Sequence, residues 1–142
     1  MNDTVNEQAK DPANNKAEDK SKFNWVTARA ACTPPKVFAE LRRQVEEDLK
    51  TRNDLRPKNA PYEFSLDGNI DQFTVLLKAK DLNRSITFKL AEQAIEVLDD
   101  QGNPMFHVTL TMNDQGECKL HANEQEREYW QVRRMALEDL MF

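Results

Sequence analysis

At 142 residues the chain has the length of one domain, and its formal net charge is −5. That charge speaks against a generic nucleic-acid binder, whose affinity rests on clustered Lys and Arg neutralising phosphates, and against a polybasic membrane anchor. No apolar run approaches the roughly 20 residues that span a bilayer, and Met1 to Lys22 contain no apolar stretch of the secretory-signal kind.

Residues 1–22 carry Asn, Asp, Glu, Lys and Ala, with Val5 the only branched aliphatic and no aromatic. Such a segment cannot bury enough apolar surface to offset its ordering entropy, so a disordered polar tether is expected there. The composition changes at Phe23, and 23–142 is read as a single α+β domain. Its roughly 120 residues suffice for one core. Phe23 to Cys32 suits a strand or a short helix through Trp25, Val26, Ala28 and Ala30, and a strand is favoured. A helix follows. Thr33 is its N-cap, with an oxygen that can serve only the Lys36 amide, and Pro34 takes the first helical position. Val37, Phe38, Leu41, Val45 and Leu49 then recur at helical spacing up to an end near Asn53. Cys32 and Val37 stand where a hydrophobic staple would.

From Pro61 to His121 the period becomes two. Tyr62, Phe64 and Leu66 mark one strand face, and Phe73, Val75, Leu77 and Ala79 the next. Ile86, Phe88 and Leu90 follow, then Ile95 and Val97, then Phe106, Val108, Leu110 and Met112, and last Cys118 and Leu120. Turn residues separate them, which predicts a meander. In the last hairpin a three-residue loop, Asp114-Gln115-Gly116, pairs Met112 with Cys118 and Leu110 with Leu120. A two-residue loop would set every apolar residue against a polar one. Gly116 supplies the left-handed residue that the longer loop requires. The Asp-Gln-Gly triplet also occurs at 100–102, as a repeated turn. A capping box of Asn123 and Glu126 predicts the start of a final helix, whose apolar stripe is Tyr129, Trp130, Val132, Ala136, Leu137, Leu140 and Met141.

The fold expected is therefore α+β: a twisted antiparallel meander of six to seven strands, with an N-terminal helix and a long C-terminal helix on one face. Strand, helix, meander, long helix is similar in topology to helix-grip folds of the START kind. The resemblance implies a cavity between sheet and C-terminal helix. No motif of that family accompanies it.

Few constellations carry chemistry. Cys32 at a helix N-terminus is the residue type a nucleophilic thiolate needs, but no orienting group accompanies it, and a staple residue is the better account. Cys118 is expected to face the core and to be inert. Two cysteines fit a reducing compartment better than a disulfide framework, so a cytoplasmic protein with no bond between them is expected. His107 and His121 fall on the outer sheet face, too few for a metal site. Lys78, Lys80, Lys89 and Lys119 share that face with Glu63, Asp67, Glu96 and Glu117, which dilute any basic patch.

The feature that needs most explanation is a pair of charges on apolar arcs. Arg133 lies about 40° from Tyr129 at about 100° per residue on the final helix, and Asp48 lies among Val37, Leu41, Val45 and Leu49 on the first. A buried charge needs a partner, either the other member of the pair or a bound anion. No catalytic residue, cofactor or metal is called for. The function expected is a non-enzymatic binding or regulatory module working through a protein partner or self-association. The alternative is a carrier of a small apolar or anionic ligand in a helix-grip-like cavity. Arg133, Asp48, Tyr129, Trp130 and Trp25 are the candidate binding residues.

Overall fold

The computed structural model describes residues 22–142; the tail expected at 1–22 lies, apart from Lys22, outside the described residues. Two helices open the fold, α1 (Trp25–Ala31) and α2 (Pro34–Leu55). Seven strands follow: β1 (Tyr62–Gly68), β2 (Gln72–Ala79), β3 (Asn83–Leu90), β4 (Ile95–Leu98), β5 (Pro104–Met112), β6 (Cys118–Ala122) and β7 (Gln125–Arg127). Helix α3 (Tyr129–Met141) closes the chain. The strands form one open antiparallel meander in chain order, as the alternation predicts.

Helix α2 buries Val37, Phe38, Leu41, Val45 and Leu49, the five residues picked out by their spacing. They meet Phe64, Phe73, Val75, Phe88, Val97 and Val108 from the sheet and Val132, Ala136 and Leu137 from α3. The core thus lies between one sheet face and two helices. The outer edge of β1 is closed by α2 itself. Asn53 accepts from the Phe64 amide at 3.0 Å and donates to its carbonyl at 2.8 Å, standing in for a neighbouring strand.

Three local expectations give way. Phe23 to Cys32 is not a strand: Trp25–Ala31 is helical, and Asn24 caps it by accepting from the Thr27 amide at 3.0 Å. Alternation signals a strand only when one face is buried, and no residue of α1 is buried. With a helix in first place, the likeness to the helix-grip order fails at its first element. Thr33 has N-cap dihedrals but makes no side-chain cap bond, and Lys36 is exposed, where water can serve its amide. Asn123 and Glu126 do not open the last helix. Asn123 and Glu124 have φ of 52° and 63°, and they turn β6 into β7 with Ala122 opposite Gln125. Asn favours that left-handed turn position as much as it favours an N-cap, so the residue type alone does not separate the two. Helix α3 is capped five residues beyond Asn123, at Glu128, where the Gln131 side chain accepts from the Glu128 amide at 2.7 Å.

The β5–β6 register is the predicted one, with Met112 opposite Cys118 and Leu110 opposite Leu120. Its turn has a twin. Asp99 and Asn113 each accept, through Oδ1, from the amides two and four residues on, and Gly102 and Gly116 follow with φ of 80° and 79°. The twins differ in surroundings. A Cβ on Gly102 would meet nothing within 4 Å, whereas one on Gly116 would fall 2.1 Å from Phe23 Cζ. Gly102→Ala is therefore expected to cost about 1 kcal/mol for backbone strain alone, and Gly116→Ala about 0.5–1 kcal/mol more, because Phe23 must leave the turn. Urea denaturation of both variants, and of Gly116→Ala with Phe23→Ala, checks this. Equal costs at the two glycines would mean that Phe23 contributes nothing to the fold.

Candidate functional site

Helices α2 and α3 lie side by side and run the same way, with Gln44 and Asp48 reaching Arg133, and Arg52 reaching the end of α3. Arg133 donates through Nε to Asp48 Oδ2 at 2.6 Å and through Nη1 to Gln44 Oε1. Of the partners left open for these charges, each has the other: Arg133 and Asp48 pair across the two helices. It is not fully buried, since the side chains keep 20% and 35% of their exposure, so its electrostatic contribution is closer to that of a surface pair than a core pair.

Further along, Arg52 donates to the Met141 carbonyl at 2.8 Å, and its guanidinium lies 4.9 Å from the Phe142 ring, 5.2 Å from Phe64 and 5.8 Å from Tyr62. A cation there satisfies the Met141 carbonyl and complements the negative dipole end of α3. At the other end of the helix pair, burial and then the Glu40 carboxylate raise the Tyr129 phenol above its ordinary pKa. Glu40 itself is lowered to about 2 by hydrogen bonds from Arg43 and Gln44.

Between the helices runs a groove of about 380 Å³, bordered by Asp48, Leu55, Trp130, Arg133, Leu137 and Phe142 among others. Leu137 and Met141 form its apolar floor. Trp130, Leu55 and Phe142 stand at its rim, 53%, 69% and 85% exposed. Trp130 does not join the buried stripe of α3 expected for it. It separates this groove from a second one, bordered by Arg127, Gln131 and Met135. Of the five candidate residues, Arg133, Asp48 and Trp130 border one groove. Tyr129 is half-buried one position before Trp130 and does not border it. Trp25 sits on α1, which packs on β6. Sequence spacing missed Gln44, Arg52, Leu55 and Phe142. Gln44 and Arg52 stand one turn on either side of Asp48, a signal that was there to use, whereas Leu55 and Phe142 are terminal apolar residues beyond any stripe.

The remaining candidates separate. His107 is exposed opposite Glu96, and His121 Nε2 lies 2.9 Å from Thr111 Oγ1. Among the described residues no three His, Cys, Asp or Glu side chains are grouped to hold a metal ion. Lys78 faces Glu63, Lys89 faces Glu96, and Lys119 lies 3.6 Å from both Glu117 and Glu126. The lysine face is neutralised by its own strands.

The largest correction concerns sulfur. Cys32 and Cys118 are joined in a disulfide, with Cα atoms 5.4 Å apart. The corner between α1 and α2 lies over β6, which puts the two residues at bonding distance although 86 positions separate them in sequence. Cys32 is then no free nucleophile and Cys118 is not inert, and the reducing compartment inferred from two free thiols loses its premise. No helix among the described residues is long and apolar enough to cross a membrane. Compared with protein-family models, with curated proteins and with solved structures, the chain matches none.

Proposed function

We propose that the chain is a binding or regulatory module that acts through protein contacts, and that the groove between α2 and α3 is its contact surface. The observation that carries this is Trp130, 53% exposed on a helix whose other large apolar residues are mostly buried, beside a groove with an apolar floor. Exposed aromatic and Arg side chains around a depression are the residue types that dominate binding energy at protein interfaces. Arg133 and Arg134 supply charge at the rim, held in place by Asp48 and Glu138. The volume of about 380 Å³ also favours a second reading, a carrier of a small apolar or anionic ligand, since ligand pockets begin at about 300 Å³. A cytoplasmic setting, where thiols are kept reduced, fits this module only if the Cys32–Cys118 bond forms transiently.

Native mass spectrometry of the protein from its own host, as wild type, Trp130→Ala and the double variant Arg133→Met/Asp48→Leu, tests the proposal. Trp130→Ala is expected to fold normally and to lose about 2 kcal/mol of affinity, roughly 30-fold, for whatever co-purifies. The double variant should lie within about 1 kcal/mol of wild-type stability, because an apolar pair can replace an ion pair of this kind. A protein-sized adduct lost in both variants supports the first reading, and a small-molecule adduct the second. Variants that fold like wild type and keep every co-purifying species would remove the groove from consideration.

A further inference from the structure

Helix α1 is held to the domain in an unusual way. None of its residues is buried, and Phe23, Trp25 and Val26 are about half exposed or more. A helix of this length does not hold its shape alone in water, where about 12–15 residues are needed. Its ties are at its two ends. At one end the Phe23 ring lies on the turn at Gly116, and at the other Cys32 is bonded to Cys118 on the same hairpin. The packing of the rest of the fold does not run through those ties, because α2 buries five residues of its own against the sheet.

We propose that the Cys32–Cys118 bond is a redox-operated latch: a dithiol reductant opens it, releasing and unfolding residues 23–31 while the sheet and α2 and α3 stay folded. The reductant's thiolate attacks Cys118, which is half-buried, whereas Cys32 is 3% exposed. The Cys32–Cys118 bond breaks, a mixed disulfide forms at Cys118, and Cys32 leaves as a thiolate just before the N-terminus of α2, where the helix dipole favours it. The reductant's second thiol, as thiolate, then displaces Cys118. Two electrons and two protons have passed to the protein, and the dithiol has become a cyclic disulfide. The reduced state leaves no stranded donor, since the Thr111 carbonyl lies 3.6 Å from Cys32 Sγ and can accept its S–H. A glutathione-type disulfide reverses the reaction.

Hydrogen exchange and limited trypsin cleavage of the full chain, with and without dithiothreitol, test the latch. Reduction is expected to bring exchange at the amides of Thr27–Cys32 close to that of an open chain and to speed cleavage after Arg29 at least tenfold, while β2 and β3 stay protected and their exchange rises only as far as the lower global stability sets. Cys32→Ser/Cys118→Ser should behave as the reduced protein does and ignore dithiothreitol. Equal rates in both redox states would overturn the proposal, because α1 would then be held by other contacts. Exchange across β2 and β3 as free as that of Thr27–Cys32 would also overturn it, because reduction would then unfold the whole domain and not α1 alone.

Discussion

Phe73→Ala is expected to lower the stability of the domain by about 4 kcal/mol. Phe73 is fully buried in the middle of the core, stacked on Phe88 at 4.7 Å between ring centres and tilted against Phe38 of α2 at 5.2 Å. The Arg42 guanidinium covers it at 5.8 Å and is itself fixed by a bond to the Asn69 carbonyl. Truncation loses the ring's transfer free energy and leaves a cavity that neither the sheet nor α2 can close without breaking strand pairs or the α2 stripe. Phe73→Leu keeps most of the volume and should cost about 1.5 kcal/mol. Urea unfolding followed by far-UV circular dichroism checks both, and the midpoint should move with the slope unchanged. A loss under about 1 kcal/mol for Phe73→Ala would mean that the aromatic cluster does not join α2 to the sheet.

That cluster was legible from sequence because its members obey two periods at once. Phe73, Val75 and Phe88 alternate with polar residues along β2 and β3, and Phe38 stands in a helical stripe. A half-buried strand and an amphipathic helix leave those patterns because burial is one-sided in each. The hairpin at 114–116 was legible for a different reason: one register paired apolar with apolar, and a glycine stood where the backbone had to turn left-handed.

What failed shares a cause as well. Helix α1 and Trp130 break the premise that large apolar residues are buried, and a surface built to be exposed has no pattern that distinguishes it from a core stripe. The Arg133–Asp48 pair could be found because a charge on an apolar arc contradicts its neighbours. Its groove could not, since Leu55 and Phe142 lie at helix ends that only the packing of α2 beside α3 brings together. The disulfide is the extreme case. Nothing local to Cys32 or Cys118 records that the corner before α2 lies over β6, and compartment arguments from a cysteine count are silent about a single long-range pair.

Replacing that pair with Cys32→Ser/Cys118→Ser is expected to lower global stability by about 4.5 kcal/mol, as large an effect as any core truncation. The bond closes a loop across a sequence separation of 86 residues, and most of its effect falls on the unfolded chain, whose freedom it restricts. The signature differs from that of Phe73→Ala. Unlinking the chain lets the denatured state expand and expose more surface, so the urea slope should rise while the midpoint falls. The oxidised wild type should also weigh about two daltons less than the reduced protein in intact mass, because closing the bond removes two hydrogens. This cost is separate from the release of α1. The latch concerns which residues open in native conditions, and the loop entropy concerns how far the whole domain lies from unfolding. A variant with the wild-type midpoint and slope would show that the two sulfurs are not joined in the folded protein, and the account of α1 would fall with it.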